Sequence, residues 1–467
     1  MKWIIKIWLP LLLAVCLLTA CVSSPAPSEI PGDPDLPIES ESESETEAAE
    51  PTPADLYEPF VPVVRFVVCS DVHVLEDPDC KEAGNLKKLF ETAYRYADSQ
   101  EDYQALDAVV IVGDLTENGK GEEFEMLKYL FKDCVREETT LITMLGNHEH
   151  YSRNINPYKF ILTRDLNQHH VIGGYHFISV SLDASSSEYS EKTIEWMKTE
   201  LAAAAVDTPD KPIFTFQHHH LKDTVYITRM WTNDPAAGLG ESYALYPNVI
   251  NFSGHSHGPI NNPRSIWQDR FTMIGTGTLA RFEMEDTLTV GAYPEGYENA
   301  AQYLIVEVNA DNVVKVMPYN LLTDDFMKTP SNTDDPDAQL VYYLPTGGTD
   351  GFVYTAERYE TAGTPHFTEN AAITVSDITA TTATVTVPQA LDDDCIYSYS
   401  LRYAADGEEQ EVSYFSEYYV EPMPETVSYT LTDLKPGTEY TVTVTPVNVW
   451  EKAGEPITTT FTTTSES

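Results

Sequence analysis

Val109-Val110-Ile111-Val112-Gly113-Asp114 runs an unbroken apolar, β-branched segment straight into a turn that ends on a carboxylate. Such a run reads as a buried strand. Four more blocks repeat the design. Ser70-Asp71-Val72-His73 follows Val67-Val68, and Gly146-Asn147-His148-Glu149 follows the apolar run 141–145. Gln217-His218-His219-His220 follows 213–216, and Gly254-His255-Ser256-His257 follows 249–252. Strand ends therefore deliver all five blocks to one rim. Residues 85–97, 122–134 and 193–205 carry apolar side chains near helical spacing, so helices alternate with the strands. This alternation, with later apolar runs at 177–182, 271–274 and 304–308, predicts a layered α/β core.

The blocks supply carboxylate, imidazole and amide oxygen, the donors that hard and borderline cations take. A centre of two cations roughly 3.5–4 Å apart needs about six to eight such groups, and this chain provides that number. Any block alone is ordinary, since Gly-Asp after a strand is a common turn. Five in order are not.

The ordered set resembles the calcineurin-like metallophosphoesterase family over roughly residues 63–320. That resemblance implies a four-layer α/β/β/α sandwich. It also implies that Asp71, His73 and His257 hold one metal, that Asn147, His218 and His255 hold the other, and that Asp114 bridges them. His148 would face the scissile phosphate as general acid or charge stabiliser, leaning on Glu117. Within the histidine triplet, the family pattern of apolar strand, polar residue, ligand, variable residue and proline aligns His218 with the ligand. Strand alternation turns His219 the other way, and His220 stands where the proline would be. His150, His169, His170 and His176 are expected to do structural or surface work.

The chemistry implied is phosphoester hydrolysis, on a monoester or a diester. Two divalent or trivalent ions of Mn, Fe or Zn would share a water that loses a proton near neutral pH and attacks phosphorus in line. The metals and a protonated His148 would then stabilise the developing charge. A purple acid phosphatase would carry tyrosine three residues after Asp114, where Glu117 stands. The competing class is a non-catalytic, metal-binding surface or adhesion protein on the same fold. The segment 222–246 carries Tyr226, Arg229, Trp231 and Tyr243, which either grip the leaving group, with Arg229 on phosphate, or form a small apolar excursion of their own.

Residues 1–20 place Lys2 and Lys6 before an apolar core interrupted by Pro10 and end Leu18-Thr19-Ala20 before Cys21. This resembles a bacterial lipoprotein signal peptide, and the apolar run is shorter than the roughly 20 residues of a spanning helix. The expectation is an extracytoplasmic protein lipid-anchored to the bacterial membrane through Cys21. Residues 21–61 are a Pro, Ser and Glu-rich acidic linker that cannot bury enough to fold. Formal charge is -46, and -48 once Lys2 and Lys6 are removed. Nucleic-acid binding needs clustered Lys and Arg, so small or envelope-derived phosphoesters are the expected substrates. Cys69, Cys80, Cys134 and Cys395 form no disulfide framework, with Cys80 and Cys134 the one pairing considered.

The catalytic domain is expected over 62–321, a connecting segment over 322–366 and an all-β domain over 367–465. In the last, short Thr-rich strands are spaced as in an immunoglobulin-like sandwich. Leu434-Lys435-Pro436-Gly437-Thr438-Glu439-Tyr440 resembles the tyrosine corner of a fibronectin type III domain. The tryptophan usual on strand B is missing, with Val387 near its place. A spacer role is expected for this domain.

Overall fold

The computed structural model describes residues 56–183, 188–231, 234–285, 292–330 and 338–465. The expected signal peptide, Cys21 and nearly all of the acidic linker lie outside them. Among the described residues no helix is long and apolar enough to cross a membrane.

The first sheet is built from β1 (Pro62–Cys69), β2 (Ala108–Ile111), β3 (Thr140–Thr143), and, after the second sheet in chain order, β10 (Gln302–Asn309), β11 (Val314–Asn320), β12 (Asp325–Phe326) and β13 (Tyr342–Leu344). Its order is β12-β11-β10-β1-β2-β3, with β13 also paired to β11. Thus the stretch expected as a connection adds two strands to this sheet. The second sheet contains β4 (Gln168–Ile172), β5 (Tyr175–Val180), β6 (Ile213–Gln217), β7 (Val249–Ser253), β8 (Ile266–Gln268) and β9 (Thr272–Gly275), in the order β4-β5-β6-β7-β9-β8. Strands β1, β2 and β3 are parallel, as are β5, β6, β7 and β9.

The continuous apolar runs follow from burial on both faces. Along β1, Val67 and Cys69 face one core, shared with helices, while Val64, Phe66 and Val68 face the other, between the sheets. Helices α1 (Lys81–Ser99) and α2 (Gly121–Cys134) cover the first sheet with Leu86, Phe90, Phe124 and Leu127. The short α3 (Asn156–Ile161) lies on the same side, through Tyr158. The second sheet is covered by α4 (Glu191–Asp207) and α5 (Ala237–Tyr243). The result is four layers, helix, sheet, sheet, helix. Phe66 sits at the centre, edge-on to Phe177 at 4.9 Å and Phe214 at 4.8 Å between ring centroids.

A charge pair is buried between two strands of the first sheet. Arg65 and Glu307 stand opposite each other on β1 and β10, with Nε donating to Oε1 at 2.7 Å and side chains 1% and 3% exposed. The four described cysteines are free thiols. The Cys80–Cys134 pairing is absent, and Cys80 instead caps α1, its sulfur accepting from the Ala83 amide at 3.4 Å.

The C-terminal sandwich pairs a sheet of β14 (Thr374–Ser376), β15 (Ala383–Pro388) and β18 (Thr426–Leu431) with one of β16 (Ile396–Ala405), β17 (Glu408–Phe415), β19 (Glu439–Asn448) and β20 (Ile457–Thr462). Strand β17 was not foreseen, because its exposed face is nearly continuous Glu and Gln. The tyrosine corner is formed, with the Lys435 amide donating to the Tyr440 hydroxyl at 2.8 Å. Val387 is fully buried in the core where the tryptophan is missing.

This sandwich is not a free spacer. Phe282, Met284 and Ala300 share one buried cluster with Cys395, Tyr418, Tyr419, Val449 and Trp450. Polar groups lock the same face. Asn261 and Asn262 donate to the Tyr418 carbonyl and hydroxyl, each at 2.8 Å, and the Tyr226 and Tyr397 hydroxyls meet at 3.0 Å. The reason is composition: aromatic side chains on both partners bury area that neither domain covers alone.

Candidate metal centre

Each of the five blocks begins where a strand of one of the two sheets ends, and the strand ends converge. Backbone geometry there is unusual. Asp71, His73, Asp114, His255 and His257 all have positive φ, between 46° and 69°. Left-handed backbone costs a non-glycine residue about 1–3 kcal/mol, and it collects at functional sites. Neighbouring glycines leave room for the side chains. A Cβ on Gly113 would lie 2.5 Å from His218 Nδ1, one on Gly146 2.2 Å from Asp114 Oδ1, and one on Gly254 2.9 Å from Asp71 Oδ2.

Asp114 is central. Its Oδ1 accepts the His148 amide at 2.9 Å, which leaves Oδ2 facing His218 Nε2 at 3.3 Å, His148 Nε2 at 3.8 Å and His73 Nε2 at 4.0 Å. On one side, Asp71 Oδ1 lies 3.1 Å from His257 Nε2, which lies 3.3 Å from His73 Nε2. Asp71, His73, Asp114 and His257 present donor atoms within 4.8 Å of one another. On the other side, His218 Nε2 lies 3.1 Å from Asn147 Oδ1, and its Nδ1 is held by the Val112 carbonyl at 2.8 Å. His218, His219 and His255 form a second group of donors within 4.8 Å.

These residues fit metal ions on their own chemistry. Two carboxylates, four imidazoles and an amide oxygen are packed into a nearly dry site, and buried like charges need a cation. Burial works to raise Asp71, yet the adjacent His257 holds it at about 2. Burial likewise opposes ionisation of Asp114, and His218 overrides it, so the carboxylate stays well below its usual range. His219 and His220 are pushed down to about 3 by burial first and by His218 second, so both are neutral imidazoles.

Further groups support the centre. Glu149 is fully buried, its Oε1 accepting from the Thr116 amide at 2.9 Å and its Oε2 from the Gly146 amide at 2.7 Å. It staples the second block to the third, and burial followed by the charge of Asp114 raises it to about 7. Ser70 Oγ donates to Asp71 Oδ2. Tyr151 lies 4.4 Å from the His148 ring, and its hydroxyl accepts from Asn147 Nδ2 at 3.2 Å, which turns Oδ1 inward. Tyr151 follows Asn147 by four residues, and that spacing around a short helical turn was the available signal.

One expectation needs correction, and two are made specific. His219 does not turn away from the centre: its ring lies 4.2 Å from that of His255, because the chain leaves β6 at Gln217 and strand alternation ends there. For Arg229 the sequence left phosphate contact and a local excursion open. Arg229 pairs with Glu285 and with Glu451 of the β-sandwich. Of its loop, Tyr226 and Tyr243 are buried, and Trp231 reaches the centre, 4.6 Å from the His255 ring. Glu117 meets His148 chiefly through the main chain. His148 Nδ1 donates to the Glu117 carbonyl at 2.7 Å, while the Glu117 carboxylate lies 2.9 Å from His73 Nδ1, 3.7 Å from His148 Nδ1 and 3.5 Å from Arg281. Of the remaining histidines, His169 bonds Glu200 at 2.6 Å and His176 at 2.8 Å, far from the blocks in the β4–β5 hairpin.

Residues 64–259 match the profile of the family described as calcineurin-like phosphoesterase, and residues 369–460 match the fibronectin type III domain. No curated protein matches the chain significantly. Solved structures similar to its C-terminal part include a computationally redesigned β-sandwich protein, at 29% identity over 22% of this chain and 94% of that chain, with a TM-score of 0.18. They also include the fibronectin type III domain of human contactin 1, at 22% identity over 23% of this chain and 86% of that chain, TM-score 0.19. Another is an FN3 domain of human collagen XX, at 23% identity over 22% and 93%, TM-score 0.17. Family profile, layer order and donor set agree: this chain carries a calcineurin-like phosphoesterase domain over residues 64–259 and a fibronectin type III domain over residues 369–460.

Proposed function

We propose that this protein is a metal-dependent hydrolase of phosphoric monoesters or diesters, working outside the cytoplasm on a lipid anchor at Cys21. The observation that carries the catalytic part is Asp114 Oδ2, a single buried oxygen with a donor set on either side. Asp71, His73 and His257 would share one cation with it, and Asn147, His218 and His255 the other. Cations held there supply Lewis acidity, withdrawing charge from phosphoryl oxygens and lowering the pKa of water.

The chain's own groups do the rest. A carbonyl can only accept, so the bond from His148 Nδ1 to Glu117 O keeps a proton on Nδ1. The second proton of a charged His148 therefore sits on Nε2, the atom 3.8 Å from Asp114 Oδ2. From there it can be donated to a leaving alkoxide or can offset charge on a phosphoryl oxygen. Tyr151 packs obliquely against the His148 ring and accepts from Asn147, bracing both.

The test is hydrolysis of a paired panel, an aryl phosphomonoester and a bis-aryl phosphodiester, by wild-type protein and His148→Ala. One ester should turn over with Mn, Fe or Zn, and the variant should be slower by about 10²–10⁴-fold with its metals retained. Absence of turnover of either ester with two metals bound would favour a binding protein. For the anchor, Cys21→Ala should move the protein from the membrane fraction to the soluble fraction. A variant that stays in the membrane rules the lipidation out.

A further inference from the structure

We propose that His219 is a third imidazole in the donor set of the second cation, making that half of the centre nitrogen-rich and selective for a borderline metal. This rests on the two-cation reading above. The side chain is 5% exposed, and neither of its ring nitrogens has a hydrogen-bond partner. Leaving buried polar atoms unpaired costs about 1–3 kcal/mol each, so such atoms aimed into a site call for a ligand. One of its nitrogens lies within 4.8 Å of a nitrogen of His218 and of a nitrogen of His255.

The ring is held in place by its main chain. The His219 amide donates to the Tyr189 hydroxyl at 3.3 Å, and its carbonyl accepts from Gln217 Nε2 at 3.0 Å. Tyr243 in turn donates to Gln217 Oε1 at 2.6 Å. His220 provides an internal comparison. It is equally buried and packs on Trp231 at 5.2 Å, yet it stands outside the donor group.

The two halves then differ in kind. The first offers Asp71, Asp114, His73 and His257, two carboxylates to two imidazoles. The second offers Asp114, Asn147, His218, His219 and His255, one carboxylate and one amide oxygen to three imidazoles. Imidazole suits Zn, Cu, Fe and Ni, whereas Mg, Ca and Mn take oxygen. The second half should therefore discriminate against Mg and Ca more strongly than the first.

The experiment is titration of the metal-stripped full chain with Co²⁺, read by calorimetry and visible absorption, for wild type, His219→Phe and His220→Phe. Wild type should take two ions. His219→Phe should lose affinity for the second ion by at least the roughly 10–100-fold that an outer partner's loss costs, with a changed visible band and the first ion unaffected. Its metal-free melting temperature should not fall, since phenylalanine keeps the ring and removes two unpaired atoms. His219→Gln should repeat the loss, and His220→Phe should bind as wild type. Wild-type affinity and spectrum in His219→Phe, or an equal loss in His220→Phe, would overturn the assignment while leaving the two-cation reading intact. Failure of the wild type to bind two ions would overturn both.

Discussion

Replacing Gly113 by alanine tests how the fold holds the centre open. Gly113 has φ +80°, and a Cβ there would stand 2.5, 2.6 and 2.7 Å from Nδ1, Cγ and Cβ of His218. Ordinary contact begins near 3.4 Å, so the imidazole must retreat by about 1 Å, given the close packing of the interior. That retreat breaks its 2.8 Å bond to the Val112 carbonyl and draws Nε2 away from Asp114 and Asn147. Left-handed alanine costs about 1–2 kcal/mol, and the lost bond adds about 1 kcal/mol. A total of about 2–3 kcal/mol lowers the melting temperature of a domain this size by about 4–12 °C. Metal binding should suffer more, because donor distances tolerate only about 0.2 Å. Calorimetric titration should show the first ion bound normally and the second weakened at least tenfold, an order set by what smaller disturbances cost. Two ions bound with wild-type affinity by Gly113→Ala would refute the reasoning.

Other outcomes follow from the same structure. Asp114→Asn should lower metal content as well as rate, and unchanged stoichiometry by elemental analysis would count against the bridge. Glu307→Ala strands the Arg65 guanidinium in the core and should cost about 3–5 kcal/mol in chemical denaturation; a loss below about 1 kcal/mol would mean that water reaches Arg65. Trp450→Ala should cost about 3–5 kcal/mol at the domain interface, read as a lower melting temperature of the catalytic domain; a shift confined to the β-sandwich would contradict the shared core. Burial raises Glu421 above its ordinary 4.5, despite bonds from Asn320 at 2.7 Å and the Lys328 amide at 3.1 Å. A carboxyl whose folded pKa is raised binds more protons folded than unfolded, so its contribution is complete below 4.5 and is lost as pH rises through the folded value. Stability measured across that window should fall less in Glu421→Gln than in wild type, and parallel curves would remove Glu421 from the account.

Much of the fold was legible because both sheets are buried on both faces. Continuous apolar strands such as 109–112 and 249–252, ending in Gly, Asp or His, mark position and direction together. The seven expected donors converge for the same reason, since each lies just past a strand end. The triplet was harder. His218, His219 and His220 leave the strand together, and only the turn geometry decides where each ring goes. The role of Arg229 stayed open because its partners lie 56 and 222 residues away, at Glu285 and Glu451. The docking of the β-sandwich depended on aromatic residues scattered over both domains, a pattern with no local period. Strand β17 escaped notice because a glutamate-rich edge reads as a loop.

The most direct test of the central claim is anomalous scattering from crystals of the metal-loaded protein. Two peaks roughly 3.5–4 Å apart are expected, one on each side of Asp114, flanked by Asp71, His73 and His257 and by Asn147, His218 and His255. A single peak, or two peaks that do not share Asp114, would contradict the claim.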